Sequence, residues 1–473
     1  MTRWAHQQQA FEFVRALWGR GRRGAMLAMW MGTGKTKVAI DLAIDLGAEL
    51  VLIICPLRVV DVWRSQFEQH ATPPYEFLAL DDRVNSVREK TARACQMLAW
   101  SQERNGRLAI AINYDSARLE PFAPWALANL WPLVICDESH RIKDPGGRAS
   151  RWCAQLGLRA SHRLALTGTP MPHQPIDIWG QFRFLQPGLL DPTYGAFRWR
   201  HAVMGGFYDR QIVGWKNLEA LHAKFRQIAF RVDESVLELP PEIDQVLSTS
   251  LASEGARIYG EMEREMVAWI STSEAAGVEV TAANAMVRLL RLQQITGGTI
   301  KDDAGVERHV DRAKEELLAD FLEDLEESEP VVVFARFKSD LEAIHRAAGR
   351  LERNSGELSG SHDNLREWQR GASGDPTILA VQIQAGGIGV DLTRARIAVY
   401  YSLGFSLADY LQSRARIRRP PQQRPCAFYH LVIHNSIDEY VLAAITARRD
   451  LINSVLGELK NTGNKHERGL RMV

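Results

Sequence analysis

Short apolar runs alternate with amphipathic helical patterns along most of this chain, and no other feature constrains its fold as strongly. Such runs, bounded by turn residues, are typical of buried strands, and the helical patterns between them are long enough to join strands that lie parallel. The strand candidates are residues 25–28, 50–55, 108–112, 133–136 and 163–167, followed by 331–334, 377–383, 397–401 and 428–433. The chain is therefore predicted to have an α/β fold built on parallel sheets.

Two interruptions of the alternation divide the chain. Residues 175–230 are rich in Trp, Phe and Gly and are predicted to form a mostly helical insertion, and residues 250–300 again show a helical pattern. Between them, LELPPEID at 237–244 has the double proline of a connector. We therefore expect two lobes, residues 1–236 and 237–473, each with a helical insertion, and a long closing helix over 437–459.

The composition is that of an ordinary globular chain, with 46% hydrophobic residues, 24% charged residues and a formal net charge of +1. No apolar run reaches the ~18 residues needed to span a bilayer. The N-terminal residues lack a signal-peptide pattern, so we expect a cytoplasmic protein with no membrane partner. The five cysteines form no CxxC pair, which predicts neither a zinc site nor a disulfide. Any polyanion site must depend on local basic clusters such as GRGRR at 19–23.

The strongest local motif is MGTGKT at 31–36, which lies between a strand candidate and a helical pattern that stops at Gly47. Glycines there let backbone N–H groups turn inward on phosphate oxygens, lysine reaches the terminal phosphates, and threonine offers a hydroxyl to Mg²⁺. The candidate ATP-binding residues are Gly32, Thr33, Gly34, Lys35 and Thr36. Met29 stands where the full GxxxxGKT pattern has its first glycine.

A second motif, PLVICDESH, follows about a hundred residues later in the chain. Its apolar strand ends in Asp137 and Glu138, which places both carboxylates at the carboxyl edge of the predicted sheet, where open α/β folds bind ligands. Asp137 is expected to hold Mg²⁺, together with Thr36. Glu138 is then placed to orient and deprotonate the attacking water.

These two motifs and TGTP at 167–170 resemble the first three blocks of helicase superfamily two, and the flanking sequence resembles its Swi/Snf-type translocase ATPases. The similar segments in the first half are LAMWMGTGKT, LIICPLRVVDVWRSQF, DESHRIKDP and IDIWGQFRFLQP. Those in the second half are VQIQAGGIGVDLT, DYLQSRARIRRPPQ and SIDEYVLAAITARRDLINSVL. The resemblance runs from about residue 3 to residue 459. It implies two RecA-like lobes in a compact version of the kind that bacteria and phages carry.

Hydrolysis of a phosphoanhydride builds charge on the transferred group, which guanidinium groups from a second lobe can stabilise. Gln412, Arg416 and Arg419 are spaced i, i+4 and i+7, so they are predicted to share one helix face that the prolines at 420 and 421 terminate. We assign Arg416 and Arg419 as catalytic arginine fingers and Gln412 as a nucleotide-site residue. Pro421 replaces the glycine of the family pattern.

Other residues near these motifs have less specific predictions. Arg414 and Arg418 fall elsewhere around the helix and are interpreted as solvated. Gln7 matches a position whose amide can pair with the adenine edge, and Gly387 is added to the nucleotide-binding candidates. Thr167 and Thr169 are predicted to couple the state of the bound nucleotide to the contacts that the protein makes with nucleic acid.

The resemblance implies that the partner is double-stranded DNA, with single-stranded DNA or RNA as the alternatives. Motors of this kind hold a phosphate backbone through loops at strand ends, and such contacts do not depend on base sequence. The candidate DNA-binding residues are Arg58, Asn113, Tyr114, Arg141, Lys143, Arg336, Gln384 and Gly386. The expected function is translocation along duplex DNA that remodels protein–DNA complexes or DNA structure, so that a protein client is an expected further partner. Strand separation of DNA or RNA, service as the motor of a nuclease complex, and a slow ATP-binding switch are the other hypotheses.

Overall fold

Each half of the chain forms its own parallel sheet in the computed structural model, which describes residues 3–81, 83–84, 86–205, 211–275, 282–301, 306–386 and 390–456. The strands of the first half are β1 (Gly24–Met29), β2 (Leu50–Cys55), β3 (Glu76–Leu80), β4 (Leu108–Asn113), β5 (Trp131–Asp137), β6 (Ala160–Thr167), β7 (Ala202–Gly205), β8 (Gln211–Trp215) and β9 (Ala229–Val232). Its helices are α1 (Ala5–Gly19), α2 (Lys35–Asp45), α3 (Val60–His70), α4 (Val87–Glu103), α5 (Tyr114–Ala117), α6 (Phe122–Ala128), α7 (Arg148–Leu158), α8 (Ile178–Leu185), α9 (Tyr194–His201) and α10 (Leu218–Arg226).

The second half repeats this arrangement with a smaller sheet. Its strands are β10 (Glu242–Thr249), β11 (Thr299–Lys301), β12 (Glu307–His309), β13 (Val331–Ala335), β14 (Ser355–Leu358), β15 (Ile378–Gln382), β16 (Ile397–Tyr400) and β17 (Cys426–Ile433). Its helices are α11 (Ser253–Ala275), α12 (Ala282–Thr296), α13 (Ala313–Glu323), α14 (Lys338–Arg350), α15 (Leu365–Arg370), α16 (Ile383–Gly386), α17 (Leu407–Ile417) and α18 (Ile437–Leu456).

The two large sheets are wholly parallel in their pairing. The first has the order β3-β4-β2-β5-β6-β1-β9 and the second the order β10-β17-β16-β13-β15-β14. Helices cover both sheets, so the interior strands are buried on both faces, as the runs of fully buried residues in β1, β4 and β13 show. The predicted fold class, two parallel-sheet α/β lobes, is confirmed.

The two insertions differ from each other in structure. The segment predicted as a mostly helical insertion at 175–230 does contain α8, α9 and α10, but it also contains the antiparallel hairpin β7–β8 and the sheet strand β9, so that prediction was too simple. The second insertion is formed by the helices α11 and α12. Part of the predicted connector at 237–244 belongs to β10 instead.

The long closing helix is present as α18, whose described residues end at Leu456, so the last three predicted positions lie outside the described residues. No helix among the described residues is long and apolar enough to cross a membrane.

Candidate active site between the two lobes

The MGTGKT loop joins the carboxyl end of β1 to α2, as expected from its flanking sequence. Gly32 and Gly34 have φ values of +81° and +83°, which favour glycine, and Gly34 occupies the N-cap position of α2. A helix that starts without a side-chain cap leaves its first N–H groups available to an anion. The loop therefore has the backbone geometry of a phosphate-binding site.

Two residues of α1 contact the backbone of the MGTGKT loop. His6 Nε2 lies 2.9 Å from the carbonyl oxygen of Thr33, and Gln7 Nε2 donates to the same oxygen at 3.0 Å. The other end of the Gln7 amide accepts from the backbone N–H of Trp4 at 3.0 Å, and the side chain is 4% exposed. Gln7 was predicted to contact adenine. In this structure the Nε2 end of its amide braces the loop, whereas the Oε1 end accepts from the N-cap residue of its own helix.

Lys35 points into the site from the first turn of α2. Its Nζ donates to the carbonyl oxygens of Met29 and Trp30, at 2.9 and 3.3 Å. Burial lowers its pKa, the carboxylates of Glu138 and Asp137 oppose that effect, and the guanidinium of Arg416 adds to it. Neither carbonyl carries a full charge, so both contacts can be exchanged for phosphate oxygens.

Asp137 is the last residue of β5, and its carboxylate is firmly oriented. Trp63 Nε1 donates to Oδ2 at 3.0 Å, and the backbone N–H of Glu138 donates to Oδ1 at 2.9 Å. Burial, followed by the charge of Glu138, raises the pKa of Asp137. A bound cation would reverse that effect by stabilising the carboxylate.

Glu138 has an unusual backbone conformation, with φ +48° and ψ 52° in the left-handed region. Burial opposes its ionisation, but the hydrogen bond and the charge of His140 hold its pKa below the ordinary value. The two side chains are 3.4 Å apart, between His140 Nδ1 and Glu138 Oε2. Glu138 is thus an ionised acceptor at the carboxyl edge of the sheet.

A chain of polar contacts joins Glu138 to the TGTP segment. His140 Nδ1 lies 3.3 Å from Thr167 Oγ1, which accepts the backbone N–H of Thr169 at 3.0 Å. Thr167 is fully buried and Thr169 is 6% exposed. His140, to which no role was assigned from the sequence, therefore lies between Glu138 and Thr167, with the same Nδ1 atom facing both side chains.

The second lobe brings two arginines to the same cleft. Arg416 interacts electrostatically with Glu138, Asp137 and Lys35. Burial lowers the pKa of Arg416 to about 10, and the charge of Glu138 opposes that lowering. Arg419 meets the phosphate loop itself, because a Cβ placed on Gly32 would lie 4.0 Å from Arg419 Cβ. Arg419 Nε is buried and has no hydrogen-bond partner among the described residues.

The helix prediction for this segment needs two corrections. The helix α17 ends at Ile417, so Arg419 lies beyond it and not on one helical face with Gln412 and Arg416. Gln412 itself is 4% exposed within α17. Arg414 and Arg418 were interpreted as solvated, which was wrong: their side chains are 7% and 16% exposed and both form ion pairs.

The residues present fit a nucleotide–Mg²⁺ complex. The described residues contain no cluster of three or more His, Cys, Asp or Glu side chains that could hold a metal. Mg²⁺ in nucleotide sites needs only one or two protein oxygens beside phosphates and waters. Thr36, in the first turn of α2, and Asp137, at the end of β5, carry oxygens of that type, and the charge of Asp137 acts on Lys35.

The predicted DNA contacts fall into two groups. Two of these side chains are buried: Tyr114 is 4% exposed and donates to the carbonyl oxygen of Asp137 at 2.7 Å, and Asn113 is 8% exposed. Tyr114 therefore supports β5 from within, and the prediction that it contacts DNA is corrected. Arg58 and Arg141 are exposed, and Arg58 Nη2 donates across the cleft to the carbonyl oxygen of Ser359 at 3.2 Å.

The second group surrounds a small cavity of about 280 Å³ at the junction of the lobes. Its lining comprises His173, Arg336, Ile383, Gln384, Gly404, Phe405, Ser406, Asp409 and Arg448. Lys143 lies near, since its pKa is lowered by burial and is influenced by Asp177, Asp409 and Arg448. His173 and Arg448 were not predicted: His173 lies outside the quoted motifs, and Arg448 lies in the closing-helix segment, for which no DNA contact was assigned. Gly386 is in α16, and Gly387 lies outside the described residues.

Comparison with known proteins agrees with this arrangement. The SNF2-related domain model matches residues 6–297, and the helicase conserved C-terminal domain model matches residues 313–420. The chain therefore belongs to the SNF2-related family, and it is an ATP hydrolase of helicase superfamily two.

Similar proteins come from several kinds of organism. Protein p41 of Acyrthosiphon pisum secondary endosymbiont phage 1 is 26% identical, over 91% of this chain and 94% of its own. An uncharacterized ATP-dependent helicase of Mycoplasma genitalium is 22% identical, over 96% of this chain but 42% of its own. The DNA repair and recombination protein RAD54-like of Drosophila erecta is 21% identical, over 98% and 64%.

This chain therefore spans less than two thirds of the Mycoplasma and Drosophila relatives, and nearly all of the phage protein. Among solved structures, the SWI2/SNF2 ATPase core of Sulfolobus solfataricus in complex with dsDNA is 21% identical. The alignment covers 96% of this chain and 93% of that one, with a TM-score of 0.43.

Proposed function

We propose that this chain is an ATP-driven translocase on double-stranded DNA, which hydrolyses ATP in the cleft between its lobes. The observation that carries the proposal is the contact of the second lobe with the phosphate loop: a Cβ on Gly32 would lie 3.8 Å from Pro420 Cδ and 4.0 Å from Arg419 Cβ, in the segment that follows α17. Turnover in such a site depends on how the lobes meet, and that dependence is what couples hydrolysis to movement.

Each residue of the site has a separate task in this proposal. The N–H groups of the loop and Lys35 bind the phosphates, and Thr36 and Asp137 hold Mg²⁺, which neutralises phosphate charge when bound. Glu138 orients the attacking water and accepts its proton. Arg416 and Arg419 stabilise the charge that develops on the transferred phosphoryl group. His140 links Glu138 to Thr167, so the TGTP segment senses the state of the carboxylate.

Duplex DNA is supported as the track by two kinds of observation. Relatives of this chain include proteins named for DNA repair, for recombination and for chromatin remodelling. In addition, Arg336 and Gln384 of the second lobe line a cavity at the lobe junction, and Lys143 of the first lobe lies near Asp409 and Arg448 of that lining. A phosphate backbone that crosses both lobes would contact cationic groups from each of them.

Strand separation is the second candidate, and the hairpin β7–β8 is the observation that favours it. The hairpin extends from the first-lobe insertion and follows Trp199, whose side chain is 73% exposed. An exposed aromatic residue can stack on an unpaired base. Displacement of one strand from a forked duplex would identify this activity, whereas a translocase of intact duplex leaves the fork closed.

The test is the ATPase rate with linear duplex DNA, single-stranded DNA, RNA or no nucleic acid. We expect duplex DNA to stimulate the wild-type rate most, and Glu138→Gln to reduce the stimulated rate by about 10²-fold or more, since a positioned base contributes that much. Glu261→Gln, which changes an exposed carboxylate of α11, is the matched control. Equal rates with and without every nucleic acid would contradict the proposed track.

A further inference from the structure

Arg414 of the helix that carries Arg416, and Arg418 just beyond the end of that helix, contact the connection between the lobes. We call Arg414 and Arg418, together with their partners Glu234, Glu242 and Asp244, the linker clamp. None of these five residues has a place in the proposed chemistry. Their contacts nevertheless fix the helix α17 to the segment that leaves the first lobe.

Arg418 joins the helix to both ends of that segment. Its Nη1 lies 3.0 Å from Glu234 Oε2, and Glu234 comes two residues after β9, the last strand of the first sheet. Its Nε donates to the carbonyl oxygen of Pro240 at 2.8 Å and lies 3.6 Å from Glu242 Oε2. One side chain of the second lobe therefore contacts the exit of the first lobe, the middle of the linker and the start of β10.

Arg414 anchors the same helix to β10. Its guanidinium makes a two-pronged contact with the carboxylate of Asp244 and lies 3.0 Å from Glu242 Oε2. It also covers the ring of Phe428, with its Cζ 3.8 Å from the ring centroid. A buried guanidinium with two carboxylate partners and a ring beneath it is held in one orientation.

The linker itself reaches the phosphate loop. A Cβ on Gly32 would lie 3.8 Å from Leu237 Cδ1, 3.8 Å from Pro420 Cδ and 4.0 Å from Arg419 Cβ. Leu237, which lies between Glu234 and Pro240 in the linker, is 9% exposed. The linker, the phosphate loop and the segment bearing Arg419 therefore meet at one point, close to where the clamp holds the linker to α17.

We propose that Arg418, paired with Glu234, is a positioning residue for hydrolysis. By holding the end of the first lobe against α17, the pair sets the distance of Arg416 and Arg419 from the phosphate loop. The linker is thereby a part of the catalytic geometry and not only a tether between the lobes. The inference rests on the proposed catalytic role of Arg416 and Arg419, which the clamp residues support without touching nucleotide.

The experiment compares duplex-stimulated ATPase kinetics of Arg418→Ala, Glu234→Ala and the double variant. We expect each single change to lower kcat about three- to tenfold, because Glu234 is half-exposed and an ion pair with an exposed partner is weak. We expect KM for ATP to stay within about twofold, because ATP binding uses other groups. The double variant is expected to match either single variant, and the exchange Arg418→Glu with Glu234→Arg to recover part of kcat.

The control is Arg424→Ala, which removes an arginine close in sequence whose partner, Glu329, belongs to the same lobe. It is expected to leave kcat unchanged. Arg414 is not varied, because removing its guanidinium leaves two carboxylates facing each other and threatens folding. Melting temperatures of all variants distinguish loss of fold from loss of positioning.

Two outcomes overturn the inference. One is a kcat for folded Glu234→Ala equal to that of wild type. The other is a double variant in which the losses of the two single variants multiply. Arg416→Ala separates this inference from the proposed function. If Arg416→Ala abolishes turnover while the clamp variants do not change it, only the positioning role fails. If Arg416→Ala itself retains full kcat, the finger assignment fails and the clamp has nothing to position.

Discussion

At the scale of single residues, Gly34 shows how tightly the phosphate loop is adjusted to its surroundings. Its φ of +83° lies in the region that favours glycine, and a Cβ added there would lie 2.3 Å from Gln7 Nε2. Gly47, just after α2, also has a positive φ, of +65°, but has no atom within 4 Å of a Cβ. The two glycines share a backbone requirement and differ only in packing.

This difference predicts distinct effects of alanine at the two positions. Gly47→Ala is expected to cost about 1 kcal/mol of stability through backbone strain alone and to leave KM for ATP unchanged. Gly34→Ala also displaces the Gln7 side chain from the loop and is expected to raise KM for ATP about tenfold or more. Nucleotide titration and thermal melting of both variants provide the measurement. Equal KM values in the two variants would contradict the role of Gln7 as a brace.

At the scale of elements, the four strands of the two large sheets that the apolar pattern failed to predict are the edge strands of those sheets; the strands of the two small hairpins, β7–β8 and β11–β12, were also not predicted. The four edge strands are β3 and β9 in the first sheet and β10 and β14 in the second. Interior parallel strands are buried on both faces and have continuous apolar sequences, whereas an edge strand can be polar. β10 illustrates this, since its sequence EIDQVLST is mostly exposed.

In the candidate site, the residues that could be predicted from the sequence are those that belong to local motifs. Phosphate loops and strand-end carboxylates are local in sequence, so MGTGKT and DESH identified Lys35 and Glu138 as candidates. Contacts between distant segments leave no such local signal. The brace by Gln7, the relay through His140 and the pairing of Arg418 with Glu234 each depend on which elements the fold brings together.

The closing helix α18 depends on a buried ion pair near its start. Asp438 Oδ2 lies 2.6 Å from Lys314 Nζ, and its Oδ1 accepts from Thr296 Oγ1 at 2.9 Å. These contacts join α18 to α13 and α12. A buried charge that loses its partner is destabilising by about 3–5 kcal/mol.

Asp438→Asn keeps the shape of the side chain but removes the charge opposite Lys314. We expect a loss of about 3 kcal/mol in the free energy of unfolding, measured by denaturant titration of the full chain. Arg257→Ala, which breaks an exposed pair with Glu261 on α11, is expected to cost less than about 1 kcal/mol. Similar losses in the two variants would show that the buried pair is not what holds α18.

At the scale of the whole molecule, the small net charge conceals an uneven distribution. The sequence carries 58 Lys and Arg against 57 Asp and Glu, yet Arg336 and Arg448 of the second lobe line the junction cavity, beside Lys143 of the first. Asp409 reduces the positive charge there. A motor that must release its track repeatedly benefits from a limited number of phosphate contacts drawn from both lobes.

We therefore expect the affinity for duplex DNA to fall with salt and each lobe to contribute separately to that dependence. Lys143→Ala and Arg336→Ala should each reduce the slope of log Kd against log salt by about 0.9, the value for one phosphate contact. Fluorescence anisotropy of a labelled duplex across a KCl series measures the slope. Arg424→Ala is the control. An unchanged slope in both cavity variants would remove the junction from the DNA-binding surface.

The backbone of Glu138 places two opposing selective pressures on one residue. Its left-handed conformation suits Gly or Asn better than Glu, for which it costs on the order of 1 kcal/mol. A library of substitutions at residue 138 sorted only for heat resistance would thus favour Gly or Asn and discard the carboxylate. Stability and the proposed turnover therefore make opposite demands on residue 138.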